Sequence, residues 1–215
     1  MRSGRPALTS RAQIIKAARR ILQKQGIDGL SVRTVAAALA TAPSTIYNYF
    51  GTKQGMLAAL ANDMLQDARP QVNTDEDPIV ALRLWMMQYR QLLLKTPDLI
   101  VLANASGPVA SVFKISHDLF DLLKRAGFSE QEAASEARSL HWTVNGFVLQ
   151  EIGQKNLGVN MIELAPQEEL ELILLTQKED FHQLFIRTID RNIDGLRCRL
   201  PAKPTKAKAA GKRKP

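Results

Sequence analysis

Residues 43–57 read PSTIYNYFGTKQGML, and the fold turns on how they are read. Proline suits the first turn of a helix, where its missing N–H is no loss, and Gly51 stops that helix at Phe50. Ile46 and Phe50 lie four apart, so they share one face and can meet a core with Leu22, Val35 and Leu39. The rest of the surface carries Pro43, Ser44, Thr45, Tyr47, Asn48 and Tyr49. A core helix would use leucine at such positions. Short polar and flat aromatic side chains can instead approach base edges, thymine methyls and phosphates. Immediately upstream, SVRTVAAAL (31–39) reads as a helix capped by Ser31, with Val35, Ala36 and Leu39 inward. A break at residues 40–42 separates the two. Helix, short break, helix is the helix-turn-helix layout, whose second helix enters the major groove while the first supports it. Ser31, Arg33 and Lys53 flank the exposed face, where phosphate contacts are expected. The bland alternative is a helical hairpin whose tyrosines pack at the surface.

Working outward, Thr9 can cap a first helix with Ile14, Ala17, Ala18, Ile21 and Leu22 on one stripe, ended by Gly26. Thr52 can cap a fourth helix through Met56, Leu57, Leu60, Met64 and Leu65. The polar, proline-bounded stretch RPQVNTDEDP (69–78) reads as a domain boundary. Residues 1–69 then hold the helix-turn-helix, a basic arm and a linking helix, and residues 78–196 hold a larger domain. In it, Asp77 and Pro78 open one helix and Thr96 and Pro97 a short one; another runs from Gly107 and Pro108 to Gly127. Ser129 and Glu132 form a capping box for a helix to about Ile152. A loop over KNLGVNMIELAPQ and a last helix from about Glu168 or Lys178 to Gly195 complete it. Residues 201–215 contain no apolar side chain larger than alanine and are expected to be disordered. Strand periodicity is nearly absent, so the fold class is all-α.

Charge follows the same division. Residues 1–69 carry ten Lys/Arg and three Asp/Glu, a net +7; residues 70–200 carry thirteen against eighteen, or −5; residues 201–215 carry six and none. A basic front suggests a polyanionic partner. The single cysteine excludes an intrachain disulfide. With no apolar run of membrane length and no signal-peptide segment at the start, a cytoplasmic, nucleoid-associated protein with no membrane partner is expected. Cys198 lies between two arginines but has no evident base partner, and no other acid, base and nucleophile converge, so an enzyme is not expected. His117, His141 and His182 lack metal-ligand spacing; neither a metal nor a cofactor is expected.

The motifs of the first ~60 residues resemble the DNA-binding domain of the tetracycline-repressor (TetR/AcrR) family. The resemblance rests on Ile14–Ala18, on Gly26 followed by GLSVRTVAAAL, and above all on STIYNYFGTKQGML. It implies that Pro43, Ser44, Thr45 and Asn48 read bases. It implies that Tyr47, Tyr49 and Lys53 contact phosphate and groove wall, and that Ser31 and Arg33 touch backbone. One departure is Ala40-Thr41, where the family carries a Gly-Val pair, so the turn is expected to differ slightly. Further on, GFSEQEAASEARSLHWTVNGFVLQE (127–151) resembles the regulatory domain of the tetracycline-repressor subclass. The histidine that holds a magnesium–drug chelate in that subclass falls near Ala103 here, which argues against tetracycline–magnesium sensing.

In the second domain, Trp85, Met86, Tyr89, Phe113, Phe120 and Trp142 are large, and His117, His141 and Asn145 are mingled with them. Aromatic walls with a few polar anchors build small-molecule cavities, so these nine residues are the expected effector site; an aromatic core is the plain alternative. The stripe Phe181, Leu184, Phe185, Ile189, Ile193 and Leu196, and that of Ala133, Ala137, Leu140, Val144 and Val148, suit a four-helix contact between two subunits or an internal core. A palindromic operator requires a homodimer. The expected function is a ligand-responsive regulator, a repressor by preference, with double-stranded DNA, a small effector and a second copy as partners. The rival is a non-specific architectural DNA binder acting through the arm, with its Gly4-Arg5-Pro6, and the basic tail.

Overall fold

Caps and stop signals set most helix boundaries. The structure is a computed structural model that describes residues 9–66, 69–73, 75–105, 111–157, 166–168 and 180–200. Among these residues it is all-helical: α1 Arg11–Gln25, α2 Val32–Ala38, α3 Pro43–Phe50, α4 Lys53–Gln66, α5 Pro78–Lys95, α6 Pro97–Ala105, α7 Ser111–Ala126, α8 Glu130–Leu157 and α9 Phe181–Arg199. None of these helices is long and apolar enough to cross a membrane. Ser31 accepts from the Thr34 N–H, and Asp77 from the Ile79 and Val80 N–H groups, as their types suggest. Gly26 and Gly51 end α1 and α3 with φ of 68° and 71°, a region open to glycine at little cost.

Three boundaries differ from the sequence reading. Ser10 caps α1 in place of Thr9, because Ser10 and Gln13 complete a reciprocal capping box. Helix α8 continues to Leu157, and α9 passes through Gly195 to Arg199. A glycine inside a helix costs about 1 kcal/mol; burial of Leu196, the very next residue, outweighs it. Residues 1–8 and 201–215, the expected start at Gly107 and Pro108, and most of the expected loop and early α9 lie outside the described residues.

Helix α4 joins the two halves. Met56, Leu57, Leu60, Ala61, Met64 and Leu65 are buried along it; it packs against α1 and α3 at one end and α6 and α7 at the other. Helices α5, α7 and α8 form the centre of the second half, and α9 lies against α5 and α8. Most of the two stripes proposed for a contact between subunits is internal, while Phe181 and Leu184 at the start of α9 are only half-buried. Ala133, Ala137, Leu140, Val144 and Val148, and Phe185, Ile189, Ile193 and Leu196, are all buried within the chain. A helical apolar stripe reads the same whether its partner belongs to one chain or two, so periodicity alone left that choice open.

Candidate DNA-reading face and regulatory core

Helix α3 is held by one buried side chain, Ile46, with Phe50 half-buried beside it. Pro43, Ser44, Tyr47, Asn48 and Tyr49 face solvent, and Thr45 is partly covered. Tyr47 and Tyr49 are exposed by 46% and 37% on this one short helix. Arg33 and Lys53 are also exposed. Ser31 is half-buried, and its hydroxyl is occupied as the cap of α2, bonded to Thr34.

The turn before α3 keeps its shape without glycine. Ala40 takes φ of +48°, a left-handed conformation that a Cβ disfavours by about 1–2 kcal/mol. The Thr41 hydroxyl donates to the Thr45 hydroxyl at 3.1 Å, which ties the turn to the start of α3 and leaves the Thr45 proton free to point outward. Tyr49 is engaged differently from Tyr47. Its hydroxyl donates to the Thr9 carbonyl at 2.6 Å, and its own carbonyl accepts from Arg11 Nη1 at 3.1 Å. The same guanidinium lies 4.5 Å from the Phe50 ring centroid, a cation–π contact.

In the second half of the chain, Trp85, Met86, Tyr89 and His141 are buried together. The Trp85 and Tyr89 rings are 4.9 Å apart. The Tyr89 hydroxyl donates to Asn145 Oδ1 at 3.2 Å and lies 3.1 Å from His141 Nε2. One phenol proton serves one acceptor, so the neutral His141 tautomer that fits is protonated at Nε2 and donates to the phenol oxygen. Burial alone lowers the His141 imidazole to about 4 and raises the Tyr89 phenol well above its ordinary value; both are uncharged at neutral pH. Phe120 is half-buried and stacks edge-on to His117, which is exposed. Trp142 is 64% exposed and stands apart from the cluster. Adjacent helix positions diverge by about 100°, so His141 inward sends Trp142 outward. The side chain of Phe113 lies outside the described residues.

Polar contacts fasten this core to the end of α4. The Trp85 indole donates to Asp118 Oδ2 at 3.3 Å. Arg69 donates to the same carboxylate with two nitrogens, Nε to Oδ2 at 2.7 Å and Nη2 to Oδ1. Gln88 exchanges a pair of hydrogen bonds with the Gln71 backbone. Nearby, Arg90 and Glu151 form a buried ion pair at 2.6 Å, and Arg90 lies 3.1 Å from His182 Nδ1 and over the Phe185 ring.

Residues 14–60, which span this helix-turn-helix and the first part of α4, match the family described as bacterial regulatory proteins, tetR family. That match covers the N-terminal helices and ends within α4. The class A tetracycline repressor of Escherichia coli, from transposon 1721, is 28% identical over 162 residues, 73% of this chain and 75% of that one. In structure, a single-site variant of TetR from Acinetobacter baumannii AYE in complex with minocycline superposes with a TM-score of 0.68 at 24% identity, over 94% of this chain and 99% of that one. BioQ with its double-stranded DNA operator gives 0.61 at 23% identity, over 88% and 98%. At such identities the likeness is one of fold.

The sequence reading missed Thr9 and Arg11 as partners of Tyr49, and Asp118 as the shared partner of Trp85 and Arg69. These pairs are 38 to 49 residues apart, save Trp85 and Asp118 at 33, and no local pattern announces them. The curated relatives that match include tetracycline repressor proteins and the HTH-type transcriptional regulator UidR, regulators rather than enzymes.

Proposed function

We propose that the chain is a homodimeric repressor that binds a palindromic operator through Pro43–Tyr49 and leaves it when a small, largely apolar effector occupies the regulatory half. The observation that carries this reading is the α3 surface, where polar and aromatic side chains stand exposed on a helix anchored by Ile46. The operator complex of BioQ and the minocycline complex of TetR, proteins of the same fold, support the two kinds of partner. Pro43, Ser44, Thr45 and Asn48 read bases; Tyr47, Lys53, Arg33 and the backbone around Ser31 meet phosphates. The effector contacts Trp85, Met86, Tyr89, His141 and Asn145, where an aromatic wall meets three polar groups.

The second copy docks on the outer face of α8. Ser135, Ser139, Trp142, Gly146, Leu149 and Gly153 recur at alternating steps of four and three, and Trp142 and Leu149 are exposed by 64% and 42%. A Cβ added at Gly146, Gly153 or Gly195 of α9 would meet nothing within 4 Å. Three helical glycines that no neighbour in the chain requires suit close approach by another backbone. Release is a population shift: the effector binds better to the state whose recognition helices are wrongly spaced, and the α4 junction carries the difference.

Footprinting on duplexes selected from a random pool tests the reading. The expected result is one protected palindrome with half-sites about 34–36 Å apart; uniform coating would replace it with an architectural role. Asn48→Ala should lower selectivity by about 1–3 kcal/mol at one base pair with melting unchanged.

A further inference from the structure

We infer that Arg90 anchors the effector: its Nε–H donates to one neutral oxygen acceptor, the carbonyl of a ketone, ester or amide, on an otherwise apolar molecule. The inference rests on the effector reading above and adds a residue and a ligand class to it. Arg90 is 5% exposed, and its Nε is buried with no hydrogen-bond partner among the described residues. The other two nitrogens are met. Nη2 donates to Glu151 at 2.6 Å, and Nη1 lies 3.1 Å from His182 Nδ1. The Phe185 ring covers the guanidinium at 4.9 Å, and Phe147 meets that ring edge-on at 5.4 Å. Held by an acid, an imidazole and a ring, the guanidinium is not free to turn and share its donors. A buried donor left unmet has given up water and gained no partner. Such an orphan points to an acceptor supplied from outside the chain.

Charge selects the ligand class. Arg90 and Glu151 form a buried pair of opposite charges, their side chains 6% and 9% exposed. An anionic group placed at Nε would sit beside the Glu151 carboxylate, away from water, where like charges repel strongly. A neutral carbonyl oxygen accepts the same hydrogen bond without that repulsion. Placement ties the donor to the effector wall. Arg90 follows Tyr89 on α5, about 100° round the helix. Helix α8 carries His141 and Asn145, which meet Tyr89, and also Glu151, which meets Arg90. The orphan donor therefore stands at the flank of the Trp85–Tyr89 wall, on the side of α9. The wall takes the apolar body of the ligand, and Arg90 takes its oxygen.

Three probes of similar size decide the matter on the full-length protein: acetophenone, ethylbenzene and benzoate. Proton–nitrogen correlation spectra follow two resonances, the Arg90 Nε–H and the Trp85 indole N–H, each assigned through its own backbone amide. Acetophenone should shift both. Ethylbenzene should shift the indole alone, and benzoate should leave the Nε–H where it is. Arg90→Lys keeps a cation for Glu151 and deletes the Nε donor. It should weaken acetophenone about ten-fold and leave ethylbenzene unchanged; if that variant does not fold, the wild-type spectra decide alone. An indole that moves with acetophenone while the Nε–H stays overturns the inference and leaves the effector reading standing. A benzoate shift at the Nε–H as large as that of acetophenone overturns the neutral class. If neither resonance moves with any probe, the inference and the effector reading fall together, while footprinting judges the operator reading separately.

Discussion

Trp85 and Arg69 donate to the same oxygen of Asp118, at 3.3 and 2.7 Å. One donor is a fully buried indole at the centre of the second half of the chain; the other lies just beyond α4. The carboxylate between them ties the buried indole to Arg69, three residues past the end of α4. Loss of Asp118 strands a buried N–H, which costs about 1–3 kcal/mol. Asp118→Ala should therefore lower unfolding free energy in urea by that amount, and by less in a Trp85→Phe background. Equal losses in both backgrounds would show that the indole gains nothing from Asp118.

His141 makes stability depend on pH in a defined window. Its folded-state pKa of about 4 lies below the ordinary 6.5, so the unfolded chain takes up the proton first. The stabilisation is complete above pH 6.5, declines as pH falls, and is lost by about pH 4, with a full span on the order of 3 kcal/mol. The urea midpoint of the wild type should fall more between pH 7 and 4.5 than that of His141→Gln. Parallel curves would rule His141 out as the cause.

The outer face of α8 offers a test whose sign depends on whether a partner covers it. In an isolated helix, Gly146→Ala adds up to about 1 kcal/mol of stability. On an interface that glycine lets close, the extra methyl opens the contact and weakens association by about 1–3 kcal/mol. Sedimentation equilibrium should show a weaker dimer for Gly146→Ala and a weaker one still for Trp142→Ala. Unchanged association in both would place the second copy elsewhere.

At the turn before α3, Ala40 holds a positive φ that a glycine adopts freely. Ala40→Gly should raise stability by roughly 0.5–1 kcal/mol, because relief of strain exceeds the added entropy of the unfolded chain. A lower melting temperature would contradict the left-handed turn.

How far the sequence could be read depends on the range of the forces involved. Caps, stop glycines and apolar period are local, so Ser31, Gly51, Asp77 and the face of Ile46 were legible from neighbours within one turn. The helix-turn-helix and its exposed tyrosines followed from these short-range preferences. Which stripe meets which is a matter of packing among distant segments. The stripes of Val144 and Ile189 were equally fit for a second subunit, and only the placement of α8 against α5, α7 and α9 showed them to be internal. Likewise, the neighbours His141 and Trp142 could not both face inward, and tertiary packing chose His141. Local sequence determined where this chain is helical and which surface of α3 is left for a partner. The tertiary structure decided what Tyr49 and Trp85 touch, since a hydrogen bond across 30 to 50 residues leaves no mark on the residues beside it.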